Sequence, residues 1–441
     1  MTGPAARPID GRAFPRHDLL VDLTTIHAER GRHAHGTTRV ERGLVAALSE
    51  IAPPSVSFCR YDRLLRRFVA VDRRQAQAIA TAPSFAEARR EAPVLARRHP
   101  LRAIRRRAEV WLRSTAQRRL RTLRAGIDRV RLGPPDEPNG ATMLIPGELQ
   151  RHDFARIAEL RRIGTRVVFL FYDLLRVLPV DDPRLRDPAA IDLPGSDFMV
   201  REAALILAIS RFSAEALGAR LKALGMAGPP VEVIRLAGAL TPEQDRMAPV
   251  PELAPGGFVA TVGDVVERKN HAMLVSIWRQ LVAAGAPGLS PLAVVGRIGA
   301  DQAPLVQAVQ RDPVLRRYVR FLPNLDDAAL AWVYTHCRFT VFPSHREGFG
   351  LPVAESLAFG KVCIASDAEA IPEASQGLAI HLDPAAEAVW LATIRRLLSS
   401  PEELARRESE IRARYRRWTW RDTGGDVLRA IGALPADRST G

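Results

Sequence analysis

The 441 residues carry 64 basic against 49 acidic side chains, a formal net charge of +15, with 47% hydrophobic residues. Such a length supports two or three domains with sizeable cores, and the composition is that of a globular chain, not a disordered or fibrous one. Three cysteines (Cys59, Cys337, Cys363) without metal-ligand spacing exclude a disulfide scaffold and a cysteine zinc site and indicate a reducing compartment, while the charge directs attention to nucleic acid, anionic lipid or a phosphorylated substrate.

The first 18 residues contain no apolar h-region, so no secretory signal is expected, and no run of about 18 apolar residues is present to span a bilayer. LLVDLT (19–24) reads as a buried strand. A loop rich in Gly and His follows, then a helix from about Thr37, with Thr38 and Glu41 at capping-box spacing. VSFCRY and RFVAV, within 56–71, read as strands. Between Arg89 and Arg131 stand fifteen arginines against three acids, with apolar residues at helical spacing around Trp111. Three readings of this stretch compete: a helix for an anionic membrane surface, a solvated helix covering the sheet, and a nucleic-acid-binding helix. Strand and helix then alternate: ATMLIPGEL (141–149), a helix over 152–164, RVVFLFYDLL (166–175), AALILAIS with a helix after Ser210, and VEVIRLAG (231–238). Such alternation implies a parallel sheet with ligands at the carboxyl ends of its strands.

Residues 241–256, rich in Pro and polar residues, read as a linker. A second α/β domain restarts at GFVATVG (257–263) and continues through LAVVGR, YVRFLP, CRFTVF, KVCIAS and LAIHL, with a helical tail interrupted at Trp418-Thr419-Trp420. Only Lys222, Lys269 and Lys361 are lysines, the other 61 basic residues being arginine. A lysine here therefore hints at a need for a compact, flexible ammonium.

The most informative stretch is VFPSHREGFGLPVAE (341–355). A strand breaks at Pro343-Ser344, passes through a loop with Gly348 and Gly350, and enters a helix at Leu351-Pro352, where proline is well tolerated. Glycines admit close backbone approach, and a helix start favours an anion such as phosphate. Glu347 and Glu355 bracket that site. Carboxylates sit poorly beside phosphate, so their partners are expected to be hydroxyls of the same ligand. A pyrophosphate flanked by hydroxyl-rich groups is a nucleotide sugar. The competing reading is an ordinary strand, loop and helix with two solvated acids.

EGFGLPVAESLAFGKVCIAS (347–366) resembles the donor-site signature of the retaining glycosyltransferases of family 4, which have the GT-B fold: two doubly wound Rossmann-like domains facing each other across a cleft. The resemblance implies that Glu347 holds donor sugar hydroxyls, Glu355 holds the ribose, and Gly348, Phe349, Gly350 and Leu351 touch sugar and phosphate. Gly263 with Arg268-Lys269-Asn270 resembles the family's pyrophosphate cradle, although Asp264 stands where some members carry a second cation. Gly296-Arg297 and the loop at Leu325 resemble further cleft-lining segments. On the acceptor side, Gly36-Thr37-Thr38-Arg39 is similar to a pattern in members that assemble polysaccharide. Tyr172-Asp173 occupies the place of a His-Asp pair, and Ser210 begins a Ser-x-x-Ser helix start that also reads as a plain N-cap.

These resemblances imply an acceptor-side domain (1–240), a donor domain (257–418) and a tail (419–441) that returns to the first domain. The implied function is sugar transfer with retention from a nucleoside-diphosphate sugar, a mannosyl-like donor being the first choice, to a glycan or lipid-linked glycan in surface polysaccharide assembly. Arg268, Lys269 and Glu347 are the expected catalytic group. No metal or other cofactor is expected, since no Asp-x-Asp motif lies in the cleft segments. The expected location is cytoplasmic, with attachment to the inner face of the membrane through the Arg-rich stretch. The alternatives are a catalytically impaired GT-B protein that binds a glycan or partner, and a nucleic-acid-binding protein resting on charge alone.

Overall fold

Two β-sheets organise the chain in this computed structural model, which describes residues 19–29, 36–63, 65–82, 140–173, 194–238, 240, 247–323 and 325–434. The first contains β1 (Leu19–Asp22), β2 (Val56–Asp62), β3 (Arg67–Val71), β4 (Thr142–Ile145), β5 (Arg166–Phe171), β6 (Ala203–Ala208) and β7 (Val231–Val233), in the order β3-β2-β1-β4-β5-β6-β7. All neighbours pair in parallel except β2 and β3, which form an antiparallel hairpin. β1 and β4 are buried along their whole length, as uninterrupted apolar runs flanked by strands on both sides should be.

The second sheet contains β8 (Val259–Val262), β9 (Leu292–Val295), β10 (Val319–Leu322), β11 (Thr340–Phe342), β12 (Cys363–Ser366) and β13 (Ile380–Leu382), in the order β10-β9-β8-β11-β12-β13 and parallel throughout. From β8 the chain winds outward one way through β9 and β10; from β11 it winds the other way. The order reverses between β8 and β11, and in such sheets the crevice for a ligand opens there. In the first sheet the same reversal lies between β1 and β4.

Several local readings change. The first strand ends at Asp22, because the Asp22 carboxylate accepts hydrogen bonds from the backbone N and the Oγ1 of Thr24, turning the chain into the short helix Thr24–Ala28. The capping box at Thr38 and Glu41 does not form. The helix Gly36–Ile51 has already begun, so Thr38 Oγ1 donates instead to Glu29 (2.9 Å) and Glu41 accepts from the backbone N–H of Ile26 (3.2 Å). VEVIRLAG contributes only the short edge strand β7, and the helix Pro194–Glu202 had no clear sequence signal. The Arg-rich stretch and linker residues 241–246 lie outside the described residues. Among the described residues no helix is long and apolar enough to cross a membrane.

The helix Trp420–Gly432 packs on the helix Gly36–Ile51 of the first domain, and its Val427 and Ile431 join that domain's core. A capping box starts it: Thr419 Oγ1 accepts from the Asp422 N–H, and Asp422 accepts from the Thr419 N–H. Asp426 then takes a two-pronged ion pair from Arg235 (2.6 and 2.5 Å), which holds its carboxyl down at about 2. The Trp420 indole lies directly against Gly43, leaving no room for a Cβ there. Gly43→Ala should therefore destabilise the protein by about 1–3 kcal/mol through overpacking. Urea titration checks this; an unchanged midpoint would mean that the helix is loosely seated.

Candidate functional site at the facing strand ends

The backbone between β8 and the helix His271–Ala283 turns at Gly263 (φ +142°), and a 3-10 turn, Glu267–Lys269, delivers Arg268 and Lys269. From the neighbouring β11, the loop 343–350 delivers Glu347. The two loops are tied together: the His345 N–H donates to the Arg268 carbonyl (2.8 Å), and the Arg268 guanidinium donates to the Arg346 carbonyl (2.9 Å). Gly296, after β9, has its Cα so close to the Gly263 carbonyl that no side chain could stand there.

Glu347 is buried, with one carboxylate oxygen crowded. Oε1 takes Arg268 Nη1 (2.7 Å), Lys269 Nζ (2.5 Å) and Ser344 Oγ (2.8 Å); none of the three reaches Oε2. Burial alone would raise its pKa, but the two cations and the hydroxyl hold it down to about 2, so it is a carboxylate at any working pH. Lys269 is lowered, first by burial and then by Arg268, with Glu347 opposing; its ammonium also lies 4.4 Å from the Phe342 ring centre. The trio carries one surplus positive charge.

Glu355, in the helix Leu351–Ala358, is 1% exposed. Its Oε2 accepts from the Tyr334 hydroxyl (2.8 Å) and its Oε1 from Arg39 Nη1 (3.2 Å), a residue of the opposite domain. Arg39 also pairs with Asp327. Burial pushes the Glu355 pKa up despite these partners, whereas Arg39 is raised by the two carboxylates against its own burial. The shifts pull against each other because Arg39 is shared; with a guanidinium and a hydroxyl both donating, the ionised carboxylate is the form that fits the geometry.

The structure thus brings Arg268, Lys269, Glu347 and Gly263 together and sets Glu355 on the next helix. Gly348 is pressed against the Tyr172 carbonyl and the Asp173 side chain, and its own carbonyl lies 2.8 Å from Ser210 Oγ. Ser210 is also the N-cap of the helix Arg211–Ala223, its Oγ accepting from the Ser213 N–H (3.0 Å). Phe349 packs against the cores of both domains, and Leu351 against that of the first, with Gly350 (φ +99°) as the turn before the helix. Asn270, in a left-handed conformation, donates its amide to the Pro384 carbonyl (2.9 Å). Arg297 is paired with Asp264 (2.6 Å). Leu325 packs on the second domain's core, and Arg39 reaches across to Asp327 and Glu355 of the second domain. Gly36 is an exposed first residue of its helix, while Thr37 Oγ1 donates to Glu148.

Residues without a sequence signal complete the site. Tyr334 holds Glu355 from 21 positions earlier, and Glu373 caps the first domain's helix at the backbone N–H groups of Arg211 and Phe212 (2.9 and 2.8 Å). On the first domain, His152 lies 2.6 Å from Asp22 through Nε2 and 3.0 Å from the Glu148 carbonyl through Nδ1. Both partners accept, so the ring donates twice, as an imidazolium. Burial opposes that charge, but Asp22 outweighs it and raises the pKa above the ordinary 6.5. The pair's contribution to stability is complete below pH 6.5 and is lost as the pH rises through the raised value. Thermal melts from acid to mildly alkaline pH should show the parent losing stability over that range relative to His152→Gln; parallel curves would defeat the assignment.

Residues 257–400 match the family model described as glycosyl transferases group 1. The O-antigen chain mannosyltransferase B of Escherichia coli is 30% identical over 133 residues, 30% of this chain and 34% of that protein. The D-inositol 3-phosphate glycosyltransferase of Segniliparus rotundus is 29% identical over 174 residues, 38% of each. The aligned stretches thus span about a third of these relatives. Among solved structures, HepE of Anabaena, determined with UDP and glucose, superimposes with a TM-score of 0.58 at 13% identity, covering 94% of this chain and 99% of that one. Trehalose 6-phosphate synthase of Burkholderia multivorans superimposes at 0.51, with 16% identity over 66% and 71%. The chain has the GT-B fold, and the match to the group 1 glycosyltransferase model lies in its second domain.

Proposed function

We propose that the chain transfers a sugar from a nucleoside-diphosphate sugar to an acceptor hydroxyl with retention, in the assembly of a surface polysaccharide. The observation that carries this reading is the Arg268–Lys269–Glu347 cluster at the reversal between β8 and β11, with Glu355 on the helix that follows. The pyrophosphate takes the surplus positive charge, the sugar hydroxyls take Glu347 Oε2, and the ribose takes Glu355. The anomeric C–O bond to phosphate breaks, the acceptor oxygen bonds the anomeric carbon on the same face, and the acceptor proton passes to the leaving phosphate oxygen. Arg268 and Lys269 stabilise the charge that grows on that oxygen, so the reading needs no metal. A mannosyl donor is the first to try, because several relatives are named mannosyltransferases. The acceptor in this reading is a glycan or lipid-linked glycan at the cytoplasmic face of the membrane.

Screening nucleotide sugars for hydrolysis and transfer, with the anomeric configuration of the product read by NMR, tests the whole reading. Inversion, or inertness toward every nucleotide sugar, would overturn it. Two variants test its parts. Lys269→Ala should lower kcat more than it raises the donor KM, since the leaving-group charge appears in the transition state; an unchanged kcat removes Lys269 from catalysis. Glu355→Ala should weaken nucleoside-diphosphate binding by about 1.5–3 kcal/mol, the worth of hydrogen bonds to a charged acceptor, as read by calorimetric titration. Unaltered affinity would place the ribose elsewhere.

The fifteen arginines between Arg89 and Arg131 support attachment to an anionic membrane, each basic residue near such a surface contributing about 1 kcal/mol. Sedimentation with phosphatidylglycerol vesicles should show salt-sensitive binding. Equal pelleting after Arg105, Arg106, Arg107, Arg118 and Arg119 are changed to Glu would refute it.

A further inference from the structure

Glu369 lies in the loop after β12 and has a left-handed backbone, φ +52°, a region that non-glycine residues rarely occupy. Its side chain is 14% exposed and turned inward. One carboxylate oxygen, Oε2, accepts from the backbone N–H of Glu347 (2.7 Å); the other, Oε1, accepts from Arg346 Nε (2.9 Å). Burial pushes its pKa up, against Arg346 and the Glu347 N–H, which favour the charge. An acid in a strained backbone, with its charge opposed by burial, needs a compensating purpose, and its two oxygens hold two adjacent residues, the Arg346 side chain and the Glu347 backbone N–H.

We propose that Glu369 is a positioning residue for Glu347. The Glu347 side chain is fixed at its far end by Arg268, Lys269 and Ser344. The next residue, Gly348, is fixed by Ser210 through its carbonyl. The carbonyl of the Arg346–Glu347 peptide is held by Arg268 (2.9 Å) and by Ser344 Oγ (3.1 Å), while Glu369 holds its N–H; without Glu369 the peptide is fixed from its carbonyl side alone and can tilt, which turns Oε2 away from the sugar. Glu369 closes that side, and the Arg346 guanidinium holds the Glu369 carboxyl in place. This inference rests on the donor-site reading above, because it gives Glu369 a purpose through the residue that holds the donor sugar.

Glu369→Gly separates positioning from folding, because glycine relieves the left-handed strain while deleting the clamp. The expected result has three parts. The melting temperature falls modestly, the relieved strain offsetting part of the cost of taking a buried acceptor from the Glu347 N–H and from Arg346. Affinity for a free nucleoside diphosphate stays within about twofold, since that ligand has no sugar for Glu347 to hold. kcat for transfer from the sugar nucleotide falls about ten- to a hundredfold, the scale of a displaced catalytic group. Glu369→Gln, which retains an oxygen for the Glu347 N–H, should recover a substantial part of kcat. Full activity in Glu369→Gly, or a loss of kcat matched by an equal loss of nucleoside-diphosphate affinity, would overturn the proposal.

Hydrogen–deuterium exchange over the peptide containing residues 344–350 gives a readout that does not depend on turnover. The Glu347 amide should exchange faster in Glu369→Gly, and equal rates would also overturn the proposal. If the parent turns over no nucleotide sugar yet this amide is deprotected in the variant, the clamp stands and the proposed function fails; the converse pattern fails the clamp alone.

Discussion

A carboxylate that is almost fully buried must find partners or lose its charge. Glu347 resolves this by drawing Arg268 and Lys269 onto one of its oxygens, and much of the second domain's upper edge follows from that choice. The turn after Gly263 must place two cations within reach, the loop after β11 must double back over Arg268, and Gly296 must be bare for the neighbouring turn to pass. Removing one member of such a cluster leaves an uncompensated buried charge, which costs far more than the intact cluster contributes to stability. The arrangement is better understood as a device for holding a fixed field than as one for holding the fold.

The cleft is joined by polar contacts of the same kind. Arg39 bridges to Glu355, Ser210 to the Gly348 carbonyl, and Glu373 to the start of a helix in the opposite domain. These are local, directional bonds around a glycine that allows backbone to meet backbone. Glu355 in particular has both oxygens occupied by protein donors, one from each domain. A ribose hydroxyl that is to reach it must share that carboxylate with Arg39 or displace it.

Much of this was legible in the sequence. The strand runs were visible because parallel strands buried on both faces are apolar throughout, and the loop 343–350 because glycine, proline and acid spacing leave a local trace. The positions of Arg268, Lys269 and Glu347 could be read for the same reason. Tyr334 and Glu369 could not: each acts on a residue about twenty positions away in sequence, and a lone tyrosine in an apolar helix or a lone acid in a loop has no distinguishing pattern. The apparent capping box at Thr38 and Glu41 misled because spacing cannot reveal where the helix starts; both side chains turn to longer-range partners in the short segment before it. Arg39 appeared to belong to one wall of the cleft because nothing in a local motif records a reach of 316 positions.

The helix Trp420–Gly432 has a consequence for the order in which the molecule is made. Val427 and Ile431 belong to the first domain's core, yet the ribosome reaches them after the whole of the second sheet. The second sheet's strands are contiguous, so that domain can close on itself while the first still waits with an open groove along the helix Gly36–Ile51, beside Gly43 and Ala47. Domains ordinarily mature from the N-terminal side during synthesis. Here the domain translated first is the one completed last.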